Sequence, residues 1–284
     1  MRPWTFRIFA LLALASCLAS FGGAAQENGI SAKLHPWGLF NPGAWKTVRV
    51  VTETLNEQGQ AVSTSTTDTK TVLVDLDNDG VTLEIQACIE VAGKRFRAEP
   101  QIVKQGFHGE LVGPNLQVKG PTDAELTVEG QKIPCKLQQL DSVVSNGKTV
   151  TKIYYSTTVA PYILKRESVT TDLEGKEDLS KTTVEVTALN MPVEVLGEMK
   201  NVSQLKTVHS SASGTVTTWA DVLPEVPGGV VGNSSKETDK TGRLVRRSTL
   251  KLIDYSEDAE KDRGGMFGRK HPRHRAKSAS RYEP

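Results

Sequence analysis

Outside its first 25 residues the sequence has no long apolar run, and cysteine and aromatic residues are scarce throughout. Aromatic residues make up 6% of the chain, and there are three cysteines with no CxxC pair among them. The apolar run at residues 8–18 is too short to span a bilayer. We therefore expect neither a transmembrane span nor a structural zinc site, and aliphatic side chains must supply most of the core.

Sequence motifs of catalysis and cofactor binding are missing as well. The chain has no GxSxG, HExxH, P-loop or GxGxxG pattern, the patterns that mark nucleophile, zinc, phosphate and dinucleotide sites. Short SxxK matches begin at Ser145, Ser203 and Ser248, and Lys240-Thr241-Gly242 reads as KTG, but no SDN accompanies them. Such matches arise by chance in a chain rich in Ser, Thr and Lys. We predict that the protein is not an enzyme and takes no cofactor.

Histidine offers the remaining route to catalysis. His35, His108 and His209 have no recognisable base–nucleophile context in the sequence. A hydrolase would need a cleft in which His108 or His209 meets a Ser and a carboxylate, or in which an SxxK pair sits. This stays open as a third functional hypothesis, behind the two given below.

The first 25 residues have the order of a secretory signal peptide. Arg2 and Arg7 precede the apolar run, and small residues at 22–25 lead to the polar Gln26. This order predicts a cleaved signal over residues 1–25 and export to the periplasm or the extracellular space. Leu14-Ala15-Ser16-Cys17 also has the form of a lipobox, so lipidation of Cys17 and anchoring to the envelope is the alternative.

Thr, Ser and Val are prominent in the rest of the chain, and patterns typical of long amphipathic helices are missing. Such side chains suit half-buried strands, in which one face packs and the other meets water. We predict a mostly β, antiparallel fold: a strongly curved open sheet or half-barrel, or a sandwich, with few short helices. This domain covers residues 26–256, and a division near residue 120 is the alternative.

A repeated hairpin organises the predicted domain. The turn Asp172-Leu173-Glu174-Gly175 lies between an apolar strand and a Thr-rich return, and Asp239-Lys240-Thr241-Gly242 has the same setting. Aromatic residues precede both copies, Tyr154-Tyr155 in one and Trp219 in the other, and a third, partial copy turns at residues 56–59. Glycine in each turn supplies a positive-φ position. Repeated hairpins of this kind predict one extended antiparallel sheet, or two.

Other strands are predicted from alternating or β-branched runs. They cover residues 71–76, 81–91, 95–98, 124–128, 132–140, 149–155 and 206–209. One short helix is predicted within residues 193–205.

The repeated unit resembles one found in exported bacterial β-sheet proteins of the lipoprotein-carrier (LolA-like) superfamily. The residues that carry the resemblance are 152–189 and 218–255, with an aromatic strand, a Pro-containing step, an Asp-x-x-Gly turn and a Thr-rich return. The resemblance implies an open, strongly curved antiparallel sheet. It also implies an apolar concave face that shelters acyl chains or another hydrophobic partner.

Three carboxylates at alternate positions form the sharpest local motif. Asp75, Asp77 and Asp79 are followed by Gly80, and a calcium loop uses such converging oxygens with a glycine at the bend. The position of the bidentate Glu of an EF-hand holds Gln86. A calcium site and a polar hairpin turn are therefore both open.

Two cysteines remain if Cys17 leaves with the signal or is lipidated. An oxidising compartment favours their pairing. Cys88 and Cys135 each lie five residues from a similar segment that contains glycine and lysine, which suggests neighbouring strands of one sheet. We predict a Cys88–Cys135 disulfide, with two buried free thiols as the alternative.

The C-terminal segment, residues 257–284, ends in a basic stretch. Residues 263–284 contain seven Lys or Arg and one acidic residue. With almost nothing apolar to bury, this segment is predicted to be disordered. Two interpretations are open: attraction to an anionic surface such as an acidic polysaccharide or anionic lipid, and a solvated terminus without a partner. Aromatic residues are nearly absent from it, so nucleic acid is not an expected partner.

Two functional hypotheses follow from these features. The first is a non-enzymatic carrier or binding module that holds an apolar small molecule or a lipid in a concavity. The second is a structural or adhesive envelope protein with a filled core, whose basic C-terminal segment attaches it to an anionic surface. Trp37, Trp45 and Trp219 line a core under one hypothesis and a ligand face under the other.

Overall fold

β-Strands make up nearly all of the regular structure in the computed structural model, which describes residues 30–109, 116–144 and 147–258. A 3₁₀ turn at Ala32–Leu34 comes first. The strands are β1 (Trp45–Leu55), β2 (Ala61–Leu76), β3 (Val81–Val91), β4 (Lys94–Arg97), β5 (Gln101–Gln105), β6 (Leu116–Val128), β7 (Gln131–Val144), β8 (Gly147–Tyr155), β9 (Ile163–Thr171), β10 (Asp178–Val195), β11 (Glu198–Ser211), β12 (Gly214–Val222), β13 (Val230–Asp239) and β14 (Leu244–Ser256). The predicted mostly β, antiparallel fold is confirmed.

The strands form one antiparallel sheet in which the first and last strands are neighbours. The order is β4-β3-β2-β1-β14-β13-β12-β11-β10-β9-β8-β7-β6, and β5 pairs with the other half of β3. Because β1 pairs with β14, the two ends of the sheet come from the middle of the chain. β4 and β5 lie at one end, and β6 lies at the other.

The three predicted hairpin turns are closed in the same way. In each, the side-chain oxygen of the first turn residue accepts a backbone N–H from four residues later. The pairs are Asn56 with Gln60, Asp172 with Lys176 and Asp239 with Arg243. The turn glycine has a positive φ in all three, a conformation that carries no steric cost for glycine. Local sequence therefore fixes where these hairpins reverse.

Two predicted elements differ from the observed ones. The predicted helix within residues 193–205 is wrong, because β10 and β11 pair along that segment and turn at Leu196-Gly197. The strand predicted at 71–76 is the second part of a longer strand, β2, which begins at Ala61. β6 runs through residue 120 and pairs with β7 on both sides of it. None of the described residues forms a helix long and apolar enough to cross a bilayer.

The sheet is curled, so that one short segment packs near both of its ends. Residues 30–43, called the crossing segment below, run between β7–β8 and β2–β3. Its Ile30 and Leu34 join a buried cluster on β7 and β8, and its Trp37 and Phe40 join another on β2 and β3. The face of the sheet that packs on this segment is the inner face, and the opposite one is the outer face.

Candidate functional site: the inner face of the sheet

The apolar part of the inner face is filled by side chains of the chain itself. Leu140 and Ile153 contact Ile30 and Leu34 at one end of the sheet. At the other end, a second set packs together: Trp37, Phe40, Ala44, Leu73, Val81 and Leu83. Phe107, just after β5, packs against both clusters. The region in which an apolar ligand was expected is therefore occupied by the crossing segment.

Hydrogen bonds and close packing hold the crossing segment in place. The backbone N–H of Ile30 donates to Gln138 Oε1 at 3.3 Å, and that amide side chain is 1% exposed. Gly228 donates its N–H to the carbonyl of Pro36 at 3.0 Å. A Cβ at position 228 would lie 2.7 Å from the Trp37 ring, so glycine is what lets the loop approach this ring.

A lysine lies next to that contact. Lys46 of β1 donates from Nζ to the carbonyl of Val230 at 3.2 Å, and Nζ lies 5.8 Å from the centroid of the Trp37 ring. Burial lowers the pKa of the Lys46 ammonium from 10.5 to about 7. A cation–π contact and a carbonyl stabilise the charge in part, and desolvation outweighs them.

Further along the strands, the inner face changes from apolar to hydroxyl side chains. The cross-strand pairs are Thr149 with Thr170 (2.9 Å), Thr151 with Ser168 (2.9 Å), Thr182 with His209 (2.8 Å) and Thr218 with Ser235 (2.9 Å). They lie on the inner face because strand side chains alternate and Thr151 stands two residues from the buried Ile153. In three of these pairs two hydroxyls bond each other across the strands, and in the fourth the Thr182 hydroxyl bonds the His209 ring. Such cross-strand pairs stabilise a sheet.

The sequence-predicted catalytic elements are separated by strand geometry. Ser203 and Lys206 both lie in β11, and Ser248 and Lys251 both lie in β14. Residues three apart on a strand point to opposite faces, so neither SxxK pair can share a site. His209 Nδ1 is bonded to Thr182, and no serine occupies that place. Ser145 lies outside the described residues.

The KTG match is a hairpin turn between β13 and β14. Asp239 organises it, because its Oδ1 accepts from the backbone N–H groups of Thr241 and Arg243 at 2.9 and 3.1 Å. These hydrogen bonds, led by the one from the Thr241 hydroxyl, lower the pKa of Asp239 to about 2. The motif therefore has a local structural explanation.

The two cysteines do not lie on neighbouring strands, which corrects the expectation from their sequence settings. Cys88 is in β3 and Cys135 in β7, near opposite ends of the strand order, and both are free thiols. Their similar neighbouring segments belong to two separate hairpins, each with a positive-φ turn at Ala92-Gly93 or Glu129-Gly130. Cys135 is buried, and desolvation raises the pKa of its thiol.

The Asp75-Asp77-Asp79 motif forms the β2–β3 turn. Asp77 Oδ1 accepts from the backbone N–H groups of Asp79 and Gly80 at 2.8 and 3.0 Å. Its Oδ2 lies 2.6 Å from Lys104 Nζ, which is 3.9 Å from Asp79. The lysine offsets part of the negative charge of the turn, and its hydrogen bond lowers the pKa of Asp77. The part of the chain that the structure describes contains no cluster of three side chains suited to a metal, so the polar turn explains this motif.

A shallow depression lies beside the crossing segment. Its volume is about 270 Å³, and its lining residues are Leu39, Phe40, Pro224, Glu225 and Glu257. It opens to solvent, and Leu39 is 50% exposed within it. The predicted signal peptide with Cys17, and residues 259–284 of the basic segment, lie outside the described residues.

The crossing segment is the feature that the sequence analysis missed. Ile30, Leu34, Trp37 and Phe40 recur at intervals of three and four residues, which is the apolar periodicity of a helix. The observed segment has only one 3₁₀ turn, followed by hydrogen-bonded turns over residues 36–39. The periodicity would have indicated that one side of this segment is buried, but it would also have predicted a helix that does not form.

The comparisons with known proteins find distant structural likeness. No protein-family model matches the chain, and no curated protein matches it significantly. A structure from Bacteroides fragilis, provisionally described as an exported protein with a YmcC-like fold, is 8% identical, with a TM-score of 0.30 over 76% of this chain and 97% of that one. One from Parabacteroides distasonis, provisionally described as a lipoprotein, is 13% identical, with a TM-score of 0.32 over 76% and 97%.

Both neighbours are described as the classes of bacterial protein that residues 1–25 predict for this chain, exported or lipid-anchored. Neither description names a lipoprotein carrier, so the LolA-like resemblance stays a prediction. Likeness at this distance carries no argument about activity or ligand.

Proposed function

We propose that this chain is an exported, non-enzymatic structural or adhesive protein of the cell envelope, attached to an anionic surface through its basic C-terminal segment. The observation that carries the proposal is the filled inner face. Ile30, Leu34, Trp37 and Phe40 of the crossing segment are all buried, at 9% exposure or less. They occupy the place that a carrier would leave for its ligand.

The hydrogen bonds of the crossing segment support this proposal. A lid over a ligand site would be joined to the sheet by few contacts, whereas Ile30 is bonded to Gln138 and Pro36 to Gly228. At the end of the segment, Gly43 donates its N–H to the Leu73 carbonyl of β2 at 2.7 Å, so both ends are bonded to the sheet. Buried polar groups satisfied in this way mark a permanent part of a core.

The non-enzymatic part of the proposal rests on geometry. The SxxK pairs of β11 and β14 are divided between the two faces of the sheet, and the hydroxyl groups of the inner face bond one another. A nucleophile needs a base within hydrogen-bonding distance that can accept its proton. The best-placed candidate base, His209, is bonded to Thr182.

One observation favours the second candidate function, a carrier for an apolar ligand such as a lipid. The depression beside Leu39 and Phe40 is apolar over most of its lining. Its volume of about 270 Å³ is just under the usual range for small-molecule pockets, roughly 300–1,000 Å³. Movement of Phe40 would enlarge it toward the cluster around Leu73.

Native mass spectrometry tests the two candidates directly. The full chain is extracted from its own envelope with mild detergent and measured before and after denaturation. We expect a mass without any bound apolar molecule. A lipid that is released only on denaturation would overturn the proposal in favour of the carrier.

Co-sedimentation tests the attachment. We expect the full chain to sediment with anionic vesicles and with an insoluble acidic polysaccharide. A full-length variant with Arg269, Lys270, Arg273 and Arg275 changed to Gln should sediment much less, because the attraction scales with charge and is screened by salt. Equal sedimentation of the two proteins would contradict attachment through this segment.

A further inference from the structure

A row of three charged side chains with an aromatic side chain at each end crosses five strands of the outer face. The register pairs Trp219 with Lys206, Lys206 with Glu185, Glu185 with Lys165 and Lys165 with Tyr154. Directly paired residues share a face. At roughly 4.8 Å between strands, the row is about 19 Å long. It is called the aromatic row below.

The Trp219 end of this row is open to solvent. Trp219 is 44% exposed, which is unusual for a side chain that normally dominates cores and interfaces. Lys236 of the neighbouring β13 holds its Nζ 5.5 Å from the centroid of the ring. At the other end, Lys165 Nζ lies 5.8 Å from the centroid of Tyr154, which is half-buried.

The cations of the row differ in their partners. Lys165 forms an ion pair with Glu167 at 3.0 Å, and on the same face Arg247 is paired with Glu53. Lys206, directly beside Trp219, forms no ion pair with any described residue. An exposed indole ring thus stands between two lysines, one over its face and the other opposite it on β11.

We propose that the aromatic row binds an acidic polysaccharide, with a sugar ring stacked on Trp219 and sugar carboxylates at Lys206, Lys236 and Lys165. The indole offers a flat apolar face beside donors and acceptors, which suits the C–H face and the hydroxyls of a sugar. Lys206 and Lys165 stand two strand spacings apart, about 10 Å, with Glu185 between them. This arrangement fits a polymer that carries its carboxylates on alternate sugars.

The side chains around Trp219 separate this partner from a membrane. Its outer-face neighbours on β13 and β11 include Ser234, Lys206 and Gln204, and Asp221 follows on its own strand. Insertion into a bilayer requires several apolar side chains on one surface, whereas these are polar. Hydrogen-bonding groups around a single ring are what a polyhydroxylated ligand can use.

The binding of nucleic acid requires a different kind of surface. Single-stranded binding without sequence preference relies on several aromatic side chains that stack successive bases in a basic groove. Within the described residues the row presents one well-exposed ring, and Glu185 and Asp221 interrupt its positive charge. An oligonucleotide is therefore the competing outcome of the test and not the proposed ligand.

This inference goes beyond the proposed function, because it places a site on the folded sheet and not on the basic C-terminal segment. The two share only the acidic chemistry of the ligand. Substitutions of Trp219 and Lys206 change only the sheet site, and the variant with four Gln changes only the segment, so that failure of one can be told from failure of the other.

The test is isothermal titration calorimetry with hyaluronan oligosaccharides, whose carboxylates lie on alternate sugars. It uses the full-length variant with four Gln in the basic segment as the parent protein, so that the segment does not contribute to the binding. We expect Trp219→Ala to weaken binding about tenfold or more, within the range of aromatic stacking. Lys206→Gln should weaken it several-fold and reduce its salt dependence. Lys152→Gln makes the same charge change on the same face, outside the row, and should leave binding within about twofold.

Three results would overturn the proposal. One is the affinity of the parent protein in both the Trp219→Ala and the Lys206→Gln variants. Lys206→Gln remains informative if Trp219→Ala does not fold. The second is equal loss in Lys152→Gln and Lys206→Gln, which would show a diffuse charge effect. The third is tighter binding of a single-stranded oligonucleotide than of hyaluronan. Neutral dextran should give no heat of binding, because it offers no carboxylates to the lysines.

Discussion

Two Trp–Lys pairs lie on opposite faces of the same sheet and have opposite surroundings. On the inner face, Lys46 Nζ is 5.8 Å from the centroid of Trp37, which is 6% exposed. On the outer face, Lys236 Nζ is 5.5 Å from the centroid of Trp219, which is 44% exposed. The contact geometry is nearly the same, so burial is what distinguishes the two.

Burial changes what each pair can contribute. At the inner pair the ammonium has lost water, which lowers the pKa of Lys46 to about 7, while the indole fills the core between Phe40 and Leu73. At the outer pair water still solvates the lysine, so the cation–π contact adds little to folding and the ring stays available to a ligand. The inner pair therefore matters for stability and the outer pair for recognition.

Truncation of the two rings should give the largest difference in stability between the inner and the outer pair. We expect Trp37→Ala to lower the free energy of unfolding by about 4 kcal/mol, because it empties a buried site in the crossing segment. Trp219→Ala should lower it by less than about 1 kcal/mol, the size of an exposed cross-strand pair. Urea denaturation of both variants measures the difference. Equal losses would contradict the assignment of Trp37 to the core.

A glycine substitution tests the packing of Trp37 without touching the ring. Gly228→Ala should cost about 2–3 kcal/mol, because it adds a Cβ at 2.7 Å from the ring to the strain of a positive φ. Gly175→Ala is the matched control, since its φ is also positive and nothing lies within 4 Å of the new Cβ. It should cost about 1–2 kcal/mol from backbone strain alone. A control that costs as much as Gly228→Ala would exclude a contribution from Trp37.

The elements that could be predicted from the sequence are those specified locally. Asn56, Asp172 and Asp239 each accept the backbone N–H four residues later, and a glycine within the same few residues completes the turn. The helix predicted within residues 193–205 failed for the opposite reason. Its Met, Glu, Lys and Leu residues favour a helix locally, but β10–β11 pairing overrides that preference.

The inner and outer sites depend on positions that no local pattern gives. Trp219 and Tyr154 share a row only because four successive registers bring them there, and a shift of one residue in any strand would turn them to opposite faces. The crossing segment reaches both ends of the sheet only once the sheet has curled. Its apolar periodicity predicts burial, whereas its partners Ile153 and Leu73 are far away in the sequence.

The titration of the buried Lys46 should make the stability of the protein depend on pH. Its pKa is about 7 in the folded chain and 10.5 as the ordinary value, so between these values the unfolded chain binds more protons. Stability should therefore rise as the pH increases from about 7 toward about 10, and the full desolvation penalty remains below pH 7. We expect Lys46→Met to remove this rise when urea midpoints at about pH 6 and about pH 9 are compared with those of the wild type. The same pH dependence in the variant would assign the effect to other groups.

The smallest expected effect is that of the outer lysine on folding. Lys236→Gln should lower the free energy of unfolding by only about 0.5 kcal/mol, because an exposed cation–π contact is partly offset by the water that replaces it. A double-mutant cycle with Trp219→Ala isolates the coupling between the two side chains. Because Lys236 covers only part of a ring that stays 44% exposed, its loss should also increase quenching of Trp219 by acrylamide. A coupling energy above about 2 kcal/mol, as found for desolvated pairs, would show that the outer pair is structural, and the distinction between the two faces would fail.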